Sequence, residues 1–491
     1  MVPRPEDPVN IPDDAFYRML NASLSTRETL TLQRALYGAL RDAVLQGKLN
    51  AHSRLPGSRA MAQGLQVSRN TVNAALEQLS MEGYLLRDRQ GTRVTALAPA
   101  AVADEPVQPV RLAARVQNLP AGAVRHTPTL WLTPGVPAMN YFPQALWRRL
   151  MDRVFREEGS QLLGYGDSAG EARLRTAIVR HLALSRGIQC EADQVVITEG
   201  AQEALTLCVQ LLCDPGEHAW IEEPGYNGAK SAFLTAGLML EGIGIDDEGL
   251  ALTQAKNAMP RMIYTSPSHQ YPLGNVMSAA RRLSLLEFAR QRGAWIIEDD
   301  YDSEFRYLGE PVPAMLGMTP NPPVVYIGTF SKTLFPSLRI GFLVMPRALA
   351  QAASGVINSM LRGGHRAEQL ALAQFIEEGH YARHLAAMRR LYRKRQQQLR
   401  EVVRDTLSVP HALHGGEGGL HLTVSIPGID DAAVVREARQ FNLAPHALSR
   451  FYLHPSPEQS GLVLGFGNTS SAHFTAAVRT LNRIIVPCRG G

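Results

Sequence analysis

"GTFSKTLFPSLRIGF", residues 328–342, ends an apolar run, "VVYIGTF", with one lysine set among small hydroxyl residues and an arginine seven positions later. A lysine at the end of an interior strand is partly withdrawn from water. That disfavours its charge and makes its amine a nucleophile. Working outward, similar runs recur as "QVVIT", "HAWIEE", "RMIYTSP" and "AWIIEDD", and helical patterns such as "LWRRLMDRVFREE" and "EARLRTAIVRHLALSRG" alternate with them. Such alternation predicts an α/β fold with a mixed sheet flanked by helices. Near the end, "LHLTVSIPG" and "GLVLGFGN" predict strands of a smaller C-terminal subdomain, followed by a last helix, "SAHFTAAVRTLNRII".

The chain has 491 residues, more than one core fills, so at least two domains are expected. Residues 96–128 are rich in Ala, Pro and Val without periodicity and read as a linker. It separates an N-terminal domain, 28–95, from a body, 129–488. Cys190, Cys208, Cys213 and Cys488 form no C-x-x-C pair, which argues against a disulfide framework or a cysteine metal site and for a reducing compartment. There is no apolar run of transmembrane length, and "MVPRPEDPVNIPDD" lacks a signal-peptide pattern. These features predict a cytoplasmic protein that does not engage a membrane. Between Arg27 and Thr95, ten Lys and Arg face five Asp and Glu, against a net charge of +5 for the whole chain. The basic end suits a polyanion, or is merely solvated.

Within that end, "TLQRALYGALRDAVLQG" sets Leu32, Leu36, Leu40, Val44 and Leu45 at helical spacing. "GSRAMAQGLQVSRNTVNAALEQLSMEGYL" then predicts a short helix, a turn at residues 66–68, and a second helix with Val72, Ala75, Leu76 and Leu79 inward. Ser68 suits the N-cap, which displays Arg69, Asn70 and Thr71 on the first turn. In a helix-turn-helix this end enters the major groove, where Arg reads guanine and Asn reads adenine. "LLRDRQGTRVTAL" predicts a strand, turn and strand, a wing, and Arg59 suits a phosphate. The stretch from "LRDAVLQGKL" to "MEGYL" resembles, over about 60 residues, the winged helix-turn-helix of GntR-family bacterial regulators.

In the body, Lys332 invites a carbonyl cofactor. Pyridoxal 5'-phosphate needs an amine for its aldehyde, an acid for its pyridine nitrogen and donors for its phosphate. "AWIIEDDYDSEF" offers acids at a strand end, with Tyr301 to bond the ring oxygen. "VVITEGAQEAL" sets Gly200, Ala201 and Gln202 at a strand-to-helix turn that favours an anion, with Thr329, Ser331 and Arg339 completing the cup. Tyr226 of "IEEPGYNGAK" could stack on the ring. In order, "YGDSAGEARLRTAIVRHL", "ITEGAQEAL", "EEPGY", "TSPSHQYPLG", "EDDYDSEF" and "SKTLFPSLRIGF" resemble class I aminotransferases of PLP fold type I over roughly 350 residues. The resemblance implies that Lys332 bonds the cofactor, Asp299 faces its ring nitrogen, Arg339 binds phosphate and Tyr165 reaches the phosphate of a neighbouring subunit. It also puts Arg450 near the site of a substrate carboxylate, although an exposed loop cation is an equal reading.

One departure concerns the Asn-Pro-x-Gly segment that contacts the cofactor's phenolic oxygen in transaminases. Here it reads Tyr271-Pro272-Leu273-Gly274, with His269 or Gln270 as the available substitute. The two halves together resemble the MocR/GabR subfamily of GntR-family regulators. That resemblance implies a head-to-tail homodimer that binds an operator in double-stranded DNA and senses an amine, an amino acid or the cofactor itself. The alternative is a working aminotransferase with an accessory DNA-binding domain.

Overall fold

The computed structural model describes residues 13–27, 29–89, 91–97, 111–117, 119, 130–252, 259–309 and 312–487. Most of the expected linker lies outside the described residues; its described part contains one short helix, Ala114–Gln117. The chain divides into two compact units, Met1–Arg111 and Leu112–Gly491.

In the first unit, α1 (Asp13–Ser25), α2 (Leu32–Leu45), α3 (Ser58–Gly64) and α4 (Arg69–Met81) precede a two-stranded wing. The wing's β1 (Leu85–Asp88) and β2 (Gly91–Val94) pair antiparallel, Leu85 opposite Val94. Sequence periodicity finds α2 to α4 but not α1, which starts ahead of the expected boundary at residue 28. Its Phe16 and Leu20 are 1% and 0% exposed and join Leu36, Leu40, Val72 and Leu76 in one core. Leu32 and Leu45 share the α2 spacing but are exposed. The turn between α3 and α4 puts Gln66 at φ 55°, and Ser68 caps α4 by accepting from the Thr71 amide at 3.0 Å.

The second unit is built on a mixed sheet. Among the described residues its strands are β3 (Val195–Thr198), β4 (His218–Glu223), β5 (Met239–Asp246), β6 (Gly249–Leu250), β7 (Met262–Thr265), β8 (Trp295–Asp300), β9 (Val324–Thr329) and β10 (Gly341–Val344). Their order is β3-β10-β9-β8-β7-β4-β5-β6. The central β9-β8-β7-β4-β5 run is parallel, while β10 is antiparallel to both of its neighbours. A smaller sheet holds β11 (Ala412–His414), β12 (His421–Ser425), β13 (His446–Ala447) and β14 (Gly461–Gly465) in the order β11-β12-β14-β13. Its last flanking helix is Phe474–Ile485.

Strand alternation sorts the acids of β8. Glu298 and Asp300 point to one face, where Arg282 and Arg186 answer them at 3.5 and 2.8 Å in buried pairs. Asp299, between them, points to the other face. Removing either arginine would strand a buried carboxylate at several kcal/mol, on the order of 3–5. The carboxyl ends of the parallel strands, where ligands bind in open α/β sheets, carry the residues singled out by sequence.

Candidate cofactor site and DNA-reading helix

Lys332 follows β9 by three residues and is half-buried. Its Nζ donates to the Gly135 carbonyl at 2.9 Å. The strap carrying Gly135 lies against β14 and the residues after it, because Gly465 and Gly467 have no side chain: a Cβ at either would strike Thr133 or Val136. Asp299 is 4% exposed. Its Oδ2 accepts from the Tyr264 hydroxyl at 2.7 Å, while its Oδ1 is buried without a hydrogen-bond partner among the described residues. Burial pushes this carboxyl up to about 7. Asp300 and Glu222 push it the same way, and Tyr264 and Lys332 oppose them. A buried acid with one unanswered oxygen calls for a donor, preferably a cation, from outside the chain.

Gly200 takes φ 82° where β3 gives way to the helix Ala201–Leu212. The free amides and the dipole of that first turn favour an anion. Arg339 stands beside it: a Cβ on Gly200 would lie 3.3 Å from Arg339 Nη1, and Nη2 donates to the Glu199 carbonyl at 2.5 Å. Thr329 is buried and its hydroxyl accepts from the Ser331 amide at 3.2 Å. Gln202 ties the turn to the next loop by donating to the Gly228 carbonyl at 3.0 Å.

On that loop the Tyr226 ring meets Tyr271 edge to face at 6.1 Å. Tyr271 in turn meets Tyr301 and Phe451. Gln270 braces the turn: its amide nitrogen donates to the Pro224 and Tyr271 carbonyls at 2.8 and 2.7 Å, and its oxygen accepts from the Leu273 amide. Both amide hydrogens are thereby engaged, leaving none for a ring oxygen. His269 contacts Tyr301 and Asp302 through Nδ1.

Arg450 lies on the short turn Ser449–Phe451 of the smaller sheet, its guanidinium 5.6 Å from the Phe451 ring. Burial lowers its pKa while Tyr271 favours its charge. The turn is held to the Tyr226 loop by Lys230, which donates to the Phe451 carbonyl, and by Asn227, which donates to that of Arg450. Tyr165 stands apart, 92% exposed. Sequence reading misses Tyr264, Gly135, Glu222 and Asp302. Glu222, buried and accepting from Thr265 and Ser266, lies in a quoted motif, but none of these four has a local signal for its partner.

On the first unit, Ser68, Arg69 and Asn70 are exposed and Thr71 is half-exposed, all on one end of α4. Arg69 Nε donates to the Ser58 hydroxyl at 3.4 Å. Arg59 is exposed on α3. Among the described residues no helix is long and apolar enough to cross a membrane.

Residues 133–429 match the aminotransferase class I and II family, and residues 32–94 match the gntR family of bacterial regulatory proteins. The chain is 38% identical over 465 residues to the probable rhizopine catabolism regulatory protein MocR of Rhizobium meliloti, covering 92% of this chain and 93% of that one. It is 31% identical to the pyridoxine biosynthesis transcriptional regulator PdxR of Corynebacterium glutamicum, with 91% and 95% covered. The solved α-aminoadipate aminotransferase LysN from Thermus thermophilus, complexed with N-(5'-phosphopyridoxyl)-L-leucine, superposes with a TM-score of 0.66 at 27% identity, covering 73% of this chain and 92% of that one. With a gntR-family domain ahead of an aminotransferase domain, and regulators of the same two-part build matching along nearly their whole length, the chain belongs to the aminotransferase class I and II family and, within it, to the MocR/GabR type of GntR-family regulators.

Proposed function

We propose that this protein is a transcription regulator whose DNA affinity is set by an amine or amino acid captured at a pyridoxal phosphate site. The observation that carries the cofactor half is Asp299 Oδ1, buried and unanswered on the same sheet edge as Lys332. When bound, pyridoxal phosphate supplies an aldehyde carbon that bonds amines and a ring that withdraws electrons. Asp299 would hold the proton of the ring nitrogen, and the pairing of opposite charges would bring its raised pKa back down. Lys332 would bond the aldehyde carbon until an incoming amine displaces it. Arg339, the amides of Gly200, Ala201 and Gln202, and the hydroxyls of Thr329 and Ser331 would hold the phosphate, Tyr226 would cover the ring, and Tyr301 would meet its oxygen. Arg450 would take an amino-acid carboxylate.

The DNA half rests on the capped α4. Arg69 and Asn70 would read bases, Ser68 and Thr71 would fix the first turn, and Arg59 would bind phosphate. An exposed Tyr165 ring fits a residue that completes a second subunit's site in a head-to-tail homodimer. The protein would act in the cytoplasm, where operator and effector meet. An effector alters DNA affinity only if it binds two states unequally. The Arg450 turn and the Tyr226 loop, joined by Lys230, are the parts an occupant would move. Reduction with borohydride followed by peptide mapping tests the cofactor assignment: the label should sit on Lys332, and a label elsewhere, or none, rejects it.

A further inference from the structure

Behind the Tyr301 ring lies a hydrogen-bond chain that cofactor binding by itself does not require. His269 Nδ1 is 3.1 Å from each oxygen of Asp302 and 3.0 Å from the Tyr301 hydroxyl. Asp302 and His269 are 1% and 4% exposed. Glycines clasp the ring in place: a Cβ on Gly419 would run into Cε1, and one on Gly274 would sit 3.1 Å from Nε2. Among the described residues Nδ1 is the ring nitrogen with hydrogen-bond partners, while the buried Nε2 has none.

Proton bookkeeping then fixes the direction of the chain. A carboxylate only accepts, so the Nδ1 that faces Asp302 carries the proton. An N–H cannot also accept from a hydroxyl. The Tyr301 oxygen must take its share of the Nδ1 proton, and its own O–H must point elsewhere. A phenol that could have either given or received a hydrogen bond becomes an obligate donor on its far side.

We propose that Asp302 and His269 are positioning residues that lock the Tyr301 hydroxyl as a hydrogen-bond donor to the phenolic oxygen of pyridoxal phosphate. Tyr301 thereby supplies the donor that the asparagine of transaminases provides and that Tyr271, standing at that position, does not. The inference rests on the cofactor reading of the site. The other titratable groups around His269 do not supply the charge it answers. His421, with ring centroids 5.0 Å apart, is held neutral by burial, burial keeps the Tyr271 phenol protonated, and Arg306 and Glu417, beside the small cavity at His269, pair with each other at 3.2 Å.

The test uses the full-length protein loaded with pyridoxal phosphate and reads the pH midpoint of its visible absorbance. A donor to the ring oxygen stabilises its anionic form and so lowers the pH at which the lysine link gives up its proton. Tyr301→Phe should raise the midpoint, and His269→Phe should raise it by about one pH unit. Made in the Tyr301→Phe background, His269→Phe should add nothing. His269→Asn, which keeps an N–H near Nδ1, should restore most of the wild-type midpoint, a rescue that a purely structural role does not predict. Asp302→Asn keeps the shape of the carboxyl and should shift the midpoint the same way, so it carries the test if His269→Phe does not fold. An unmoved midpoint, or His269 and Tyr301 shifts that simply add, overturns the inference while leaving the cofactor reading intact. Absence of a lysine-linked absorbance in the wild type overturns both.

Discussion

Asp299→Asn should uncouple stability from cofactor binding, because the same carboxylate that would hold the ring nitrogen is costly to keep in an empty site. Its pKa is raised from 3.8 unfolded to about 7 folded, chiefly by burial. Between those values the folded state holds a proton the unfolded chain has lost, so stability falls as pH rises through the window and is lowest above it. A rise of about three units corresponds to a cost of at most about 4 kcal/mol above neutral pH. Asparagine removes the charge and keeps an acceptor for Tyr264, but leaves an unpaired amide worth about 1–3 kcal/mol. The cofactor-free variant should therefore gain about 1–3 kcal/mol near pH 8 and little near pH 5. Denaturant unfolding of both cofactor-free proteins at the two pH values reads the difference. Pyridoxal phosphate should then stabilise the wild type more than the variant, by mass action on the folded state. Parallel pH profiles for the two proteins, or equal stabilisation by the cofactor, would refute the reasoning.

The reading helix and the effector pocket make separable predictions. Arg69→Ala or Asn70→Ala should cost about 1–3 kcal/mol against the specific operator and relax base preference, whereas Arg59→Ala should weaken all sequences alike and reduce the salt dependence, as a phosphate contact does; competition binding at several salt concentrations distinguishes them, and equal specific and non-specific losses for Arg69→Ala remove it from base reading. Arg450→Ala should weaken amino-acid effectors by about 1.5–3 kcal/mol, the worth of a hydrogen bond to a charged group, and spare amines that lack a carboxylate. Absorbance titration measures both ligand classes, and equal losses for both would take the carboxylate away from Arg450.

Much of this is legible in the chain because its signals are local. The inward stripe Val72, Ala75, Leu76 and Leu79 is buried as its spacing predicts, and Ser68 caps the helix that follows it. The apolar runs ending at Thr198, Glu223, Thr265, Asp300 and Thr329 are all strands. What is not legible depends on distant partners. Nothing near Glu298 and Asp300 tells that Arg282 and Arg186 will neutralise them; resemblance alone points to Asp299 in the sequence, and the fold supplies the reason, its neighbours being answered and its own Oδ1 not. Tyr264 reads as an ordinary aromatic of a strand until β7 pairs with β8 and brings its hydroxyl to Asp299. His269 and Gln270 are adjacent in sequence and equal candidates by it. Their hydrogen bonds separate them, Gln270 being committed to its own turn and His269 to Tyr301 and Asp302. The helix α1 escapes sequence reading because its pair Phe16 and Leu20 finds a core only with residues of other helices, Leu36 and Leu40 of α2 and Val72 and Leu76 of α4 among them.

If occupancy at Lys332 governs operator affinity, one titration must show both at once. Candidate amines and amino acids are added to the cofactor-loaded protein with its operator, and the visible absorbance and the DNA affinity are followed in the same sample. At least one compound should displace Lys332 and change DNA affinity over the same concentration range, by the 5–150-fold typical of coupled sites, roughly 1–3 kcal/mol. Both responses should disappear together in Lys332→Ala. Repeated turnover of an amino donor with a keto acceptor, at a DNA affinity that does not change, would contradict it and leave a working aminotransferase in its place.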